Sequence, residues 1–188
     1  LAHYYIRKQA EQQGTDPERY LSPEDAILAL AEKNEEESHL WALATDDIIH
    51  AYRAYAHNWG SESWKVISVE EQLKAHVGPK QHPYTQRADL IVEEADGRVW
   101  IVDHKSAYRI NSKTLTQYIM DGQFIGYQMF GHAKYKERFG GVILNRVKLS
   151  QPYDFDRRAL EPAPQALRHF TQVIIEGERR IAQGGDKP

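Results

Sequence analysis

The chain has 188 residues with 41% hydrophobic and 27% charged side chains, enough for one domain with one real core and an ordinary soluble composition. It has no cysteine, which excludes disulfides, thiolate metal sites, iron–sulfur clusters and a cysteine nucleophile. No signal peptide is visible and no apolar run approaches the roughly 18 residues needed to span a bilayer, so a cytoplasmic location is expected.

The net charge of -3 hides an uneven distribution. Residues 11–47 carry eleven acids against Arg19 and Lys33. Residues 105–158 hold ten of the 24 Lys and Arg: Lys105, Arg109, Lys113, Lys134, Lys136, Arg138, Arg146, Lys148, Arg157 and Arg158. An acidic chain can still present one basic face to a phosphate backbone, although ordinary solvated faces give the same counts.

In chain order, Ser22-Pro23-Glu24-Asp25 reads as an N-cap, a first-turn proline and an acidic first turn. The helix it opens turns Ala26, Ile27, Leu30 and Ala31 inward. After the polar interval from Asn34 to Glu37, a longer helix is predicted from about Ser38 to His57, with a buried stripe of Leu40, Leu43, Ala44, Ile48, Ala51 and Tyr55. The period then becomes two. Strands are predicted over 64–70, 87–93 and 98–105, with a loose segment holding Gly78-Pro79 and Pro83 after the first and an Asp96-Gly97 hairpin between the last two. A helix over 114–130 and a strand over 142–149 follow. Beyond Gln151-Pro152 comes an irregular arm, then a last helix ending before Gly184-Gly185. This order predicts a small mixed α/β sheet, an antiparallel hairpin joined by a crossover helix to one more strand. One domain is expected over 1–188, with the N-terminal helical region 1–57 and the helix 163–183 packed on it.

The segment Val99-Trp100-Ile101-Val102-Asp103-His104-Lys105 carries the chemistry. Alternation places Val99, Ile101, Asp103 and Lys105 on one face, and Trp100, Val102 and His104 on the other. Both faces begin apolar, so charge at the C-terminal end is costly unless paired or metal-bound; a strand that simply surfaces there is the plain alternative. The hairpin sets Asp89 across from about residue 104, at the same end of the sheet as Asp103. Two carboxylates brought together call for a cation, and a hard divalent ion, Mg2+ or Mn2+, suits their oxygens. The backbone carbonyl of His104 offers one more ligand. Lys105, about 6.6 Å further along that face, suits the orientation of attacking water and the offset of phosphoryl charge.

Five pieces in order resemble the PD-(D/E)xK nuclease superfamily, and within it the RecB-like exonuclease branch that includes Cas4-type proteins. They are Asp47-Ile48-Ile49-His50, Val69-Glu70, Arg87-Ala88-Asp89, Val102-Asp103-His104-Lys105 and Gln123-Phe124-Ile125-Gly126-Tyr127. The resemblance implies a restriction-endonuclease-like α/β core, a small mixed sheet flanked by helices. It implies His50 as a metal ligand beside Asp89 and Asp103, Lys105 as the catalytic lysine, and Gln123 and Tyr127 bracing the site or touching DNA. It further implies metal-dependent hydrolysis of DNA, single-stranded or with free ends, by an exonuclease. The chain departs from the family in carrying Gln86-Arg87 where a glycine is common, and His104 where an aromatic or hydrophobic residue is common.

Several alternatives stand beside this reading. His50 could pair with Asp46 or Asp47, Tyr127 could be a core aromatic, and Glu71 could replace Glu70. At the level of function they are an endonuclease, a nucleic-acid-binding module without activity, and a phosphodiesterase for small substrates. Tyr52, Tyr55, His57, Trp59 and Tyr108 beside Arg109 suit either base stacking or core packing.

Overall fold

The computed structural model describes residues 1–33, 38–77, 82–161 and 163–183. Its centre is a five-stranded sheet in the order β1-β2-β3-β4-β5. These strands are β1 (Lys65–Val77), β2 (His82–Glu93), β3 (Val99–Ala107), β4 (Phe139–Lys148) and β5 (Asp154–Leu160). β3 and β4 run parallel and every other pair is antiparallel. The parallel step requires a crossover, supplied by α4 (Lys113–Ile119) and α5 (Gly122–Tyr135). We label the remaining helices α1 (Ala2–Gln12), α2 (Pro23–Glu32), α3 (Ser38–Trp59) and α6 (Pro164–Ala182).

The sheet is buried on both faces. On one, Val99, Ile101, Val142 and Leu144 pack with Phe124, Tyr127 and Phe130 of α5. On the other, Leu90, Val92, Val102 and Ile143 meet Tyr5 of α1 and Tyr55 of α3. The alternation along β3 is therefore as expected, with Val99 and Ile101 facing α5 and Val102 facing the N-terminal helices.

The hairpin closes with Gly97 at φ 84 and its N–H donating to the Glu94 carbonyl, a conformation that glycine adopts without cost. Its register pairs Leu90 with Val102, so Asp89 falls opposite Asp103, one residue short of the expected 104. Ser22 caps α2 as expected, its Oγ accepting from the Asp25 N–H at 3.0 Å. The inward stripes differ in detail: Leu30 is 51% exposed, and in α3 Ala44 is exposed while Thr45 is buried. The side chains of Leu40 and Leu43, the interval 34–37, Gly78-Pro79 and Gly184-Gly185 lie outside the described residues.

Four elements differ from expectation. The loose segment is largely strand, since β1 reaches Val77 and β2 begins at His82. Pro83 is tolerated because β2 pairs only with β1 there; its ladder with β3 begins at Leu90. The irregular arm is β5, an edge strand disguised by its charges. The helix expected over 114–130 breaks at Asp121, whose carboxylate accepts from the Gln123 N–H at 2.7 Å and starts α5. Finally, α1 covers the edge of β1: Gln9 donates to the Ile67 carbonyl, and Gln12 both donates to the Trp64 carbonyl and accepts from the Val66 N–H. Among the described residues no helix is long and apolar enough to cross a membrane.

Candidate active site

Alternation in β2 fails at one place. Leu90 and Val92 face the N-terminal helices, yet Ala88 joins Ile91 on the α5 face. The same point on β1 holds Glu70, a non-glycine residue at φ 54, which falls opposite Asp89 between the rungs Val69–Leu90 and Glu71–Ala88. Such a left-handed residue is uncommon and marks local strain. The break lies where the β2–β3 ladder ends. Asp89 Oδ2 there accepts from the His104 backbone N–H at 2.8 Å, so the side chain takes over where backbone pairing stops. The Asp89 carboxylate thus lies at the peptide joining Asp103 to His104.

Asp103 is fully buried. Its Oδ1 accepts from Gln123 Nε2 at 3.1 Å and lies 3.2 Å from the Tyr127 hydroxyl. Lys105 Nζ sits 2.8 Å from Oδ2, but off the axis of a hydrogen bond, which leaves Oδ2 a buried acceptor without a directed donor. Burial pushes the Asp103 carboxyl above its ordinary range and repulsion from Asp89 adds to the rise, while Lys105 and Tyr127 oppose it.

One turn of α5 supplies the bracing. Gln123 and Tyr127 are four residues apart and share a helix face. Gln123 Oε1 accepts from Lys105 Nζ at 3.0 Å, and its Nε2 donates to the Tyr127 hydroxyl at 2.8 Å as well as to Asp103. The Tyr127 hydroxyl donates to the Arg87 carbonyl at 2.7 Å, tying α5 to β2 two residues before Asp89. Burial, with the negative charge of Asp103 next in weight, raises the Tyr127 hydroxyl far above its ordinary value, so it stays protonated. Tyr127 is both a fully buried aromatic and a polar brace, which reconciles the two sequence readings.

The structure therefore brings together Asp89, Asp103, Lys105, Gln123 and Tyr127. His50 stands exposed on α3, and among the described residues no three acidic or imidazole side chains converge as a metal cage. Glu70 is exposed and paired with Arg87 at 3.0 Å, whereas Glu71 turns toward α5 and pairs with Lys134. Of the basic residues counted toward a DNA-facing surface, Arg146 and Arg157 are internal, bound to Asp156 and Glu62.

The His104 ring lies on the opposite face of β3. It stacks on Tyr5 with centroids 5.6 Å apart, and its Nδ1 meets Asn145 Nδ2 at 2.6 Å. Asn145 is next to it in the parallel register of β4. Burial pushes the imidazole down to about 3, so it is neutral. Sequence reasoning passed over Asn145, although a signal was present: one amide in the apolar run Val142-Ile143-Leu144-Asn145 must find partners when buried.

The family model of the PD-(D/E)XK nuclease superfamily matches residues 1–187. The chain belongs to that superfamily. Among solved structures, this superfamily member is similar to a provisionally named exonuclease from Eubacterium rectale, with a TM-score of 0.51 and 13% identity over 79% of this chain. The match covers 56% of that protein, so the chain spans little more than half its length. This likeness supports the restriction-endonuclease-like fold expected from the motifs. A second structure, of the protein SSO0001, matches over 98% of this chain and 86% of that one, at 13% identity and a TM-score of 0.42. Comparison with curated proteins returns no match.

Proposed function

We propose that this chain is a divalent-metal-dependent DNA nuclease that hydrolyses phosphodiester bonds, acting from ends as an exonuclease of the RecB type. The observation that carries the reading is the buried Asp103 carboxylate, its Oδ2 lacking a directed donor, set beside Asp89 and Lys105. The donor set is hard oxygen, which fits Mg2+ or Mn2+. Asp89, Asp103 and the His104 carbonyl would hold the ion; the family pattern adds His50, which stands exposed on α3 and outside any cluster with the two acids. Bound there, the ion supplies charge that polarises the phosphate and favours ionised water.

The remaining work falls to the chain itself. Lys105 orients water or offsets charge on a phosphoryl oxygen, while Gln123 holds the ammonium and the carboxylate in fixed relation. Tyr127 fixes the amide of Gln123. Nothing recognisable in the sequence reads bases, which favours action on ends over cutting at chosen sequences.

The test is to incubate the protein with end-labelled single-stranded, double-stranded and circular DNA, in Mg2+, in Mn2+ and in EDTA. Cleavage should need metal, spare circular DNA, and vanish in Asp103→Ala and Lys105→Ala while DNA binding survives. Absence of cleavage in every metal overturns the nuclease reading, and cleavage of circles replaces exonuclease by endonuclease action.

A further inference from the structure

The strand that carries Asp103 and Lys105 ends at Ala107, and the next two residues are Tyr108 and Arg109. Tyr108 is 80% exposed, and the Arg109 guanidinium lies 5.6 Å from its ring centroid. Among the described residues no carboxylate pairs with Arg109. The core-packing alternative for Tyr108 therefore fails.

The loop bearing this pair is braced from beneath. Buried Arg146, next to Lys105 in the β4 register, donates to the Asn111 carbonyl at 2.8 Å and to Thr114 Oγ1 at 3.0 Å. Its other side is held by Asp156. The Asn111 side chain accepts from the Thr114 N–H at 3.1 Å at the start of α4. An exposed aromatic on a fixed loop binds with little ordering cost. At a strand rise of about 3.3 Å per residue, Tyr108 is about 10 Å beyond Lys105.

We propose that Tyr108 and Arg109 form a stacking platform for single-stranded nucleic acid beside the active site, the ring taking a base and the guanidinium the adjoining phosphate. The inference rests on the nuclease reading and gives it a strand preference. An aromatic face with an exposed cation beside it suits a nucleotide, since every base offers a π-face and every link a negative charge.

The test measures equilibrium binding of fluorescein-labelled oligo-dT to the full chain in EDTA, where no cleavage is expected. Tyr108→Ala should weaken binding by roughly 5- to 150-fold, the range for one lost base stack, and Tyr108→Phe should stay within about twofold of wild type. On an abasic oligomer of equal length the Tyr108→Ala loss should disappear. Arg109→Gln should lower the salt slope by about 0.7, the share of one phosphate contact on a single strand. Unchanged oligo-dT binding by Tyr108→Ala, or an equal loss on abasic DNA, overturns the platform. A wild type that cleaves DNA while Tyr108→Ala binds normally loses this inference alone. One that binds through Tyr108 yet cleaves nothing loses the nuclease reading alone.

Discussion

Replacing Tyr127 by Phe tests the bracing of the site with little change of shape. The hydroxyl gives its single proton to the Arg87 carbonyl at 2.7 Å and receives Gln123 Nε2 at 2.8 Å; the Asp103 contact at 3.2 Å is the longest of the three. Phe keeps the ring, so the loss is two hydrogen bonds around a fully buried residue. Each is worth about 0.5–1.5 kcal/mol net, giving a destabilisation of about 1–3 kcal/mol. At about 2–4 °C per kcal/mol for a chain of this size, melting should fall by roughly 2–12 °C. The effect on function is separable from that on stability. With Gln123 freed, its holds on Asp103 and Lys105 loosen, and residues supporting a metal ligand typically contribute about 10- to 100-fold in metal affinity or activity. Circular-dichroism melts in EDTA and Mn2+ titrations of DNA cleavage measure the two effects. Adding Gln123→Met to Tyr127→Phe should cost less than the sum of the two single losses, because both act through one amide. A Tyr127→Phe variant that melts within about 1 °C of wild type, short of the fall expected for two lost bonds, and keeps its metal dependence would refute the bridge.

Three further outcomes follow from the geometry. At metal concentrations about 100 times Kd, wild type should gain about 2.7 kcal/mol and melt several degrees higher, whereas Asp103→Asn should show no metal-induced shift; an equal shift in both would remove Asp103 from the ion site. Two helical glycines of α5 should respond differently to alanine. At Gly131 a Cβ drives into the ring of Phe139, and about 1–3 kcal/mol of stability should be lost in urea melts, whereas at Gly126 it meets only the movable end of Gln86 and stability should hold. Burial tends to raise the Glu71 carboxyl, but Lys134 and Ser68 outweigh it and hold it below its ordinary 4.5. Its stabilising contribution is thus complete above pH 4.5 and lost as pH falls through the lowered value, so Lys134→Met should flatten the acid limb of a plot of melting temperature against pH.

The central strands and the sharing of faces in β3 were legible because burial on both sides writes a plain pattern into Val99–Asp103. So was the convergence of Asp89 with Asp103, since Asp96-Gly97 fixes the hairpin to within one residue. What escaped had its cause in tertiary context. β5 is an edge strand whose Arg157 and Asp156 serve internal ion pairs, so its composition reads as loop. α1 is held to the β1 edge by glutamine amides, a contact that no periodicity encodes. The break at Asp121 was visible only as a capping residue inside an otherwise helical pattern. His50 marks the limit of motif reading: its place in the series fits the family, yet its side chain is exposed and is not gathered with the two acids.

His104 shows how a departure from the family pattern can leave the chemistry intact. A charged imidazole between Asp103 and Lys105 would disturb the electrostatics of both. Alternation instead sends the ring to the opposite face, where burial keeps it neutral. There it stacks on Tyr5 as an aromatic residue would, and Asn145 satisfies its Nδ1. Asn145 is in turn held by Arg157 at 3.3 Å and donates to the Tyr55 hydroxyl at 2.9 Å. The position thus keeps a ring packed among buried residues; β4 satisfies its Nδ1, while its Nε2 is buried without a hydrogen-bond partner among the described residues. The peptide on either side of His104 is then fixed from two directions, by Asp89 at its N–H and by this network at its ring.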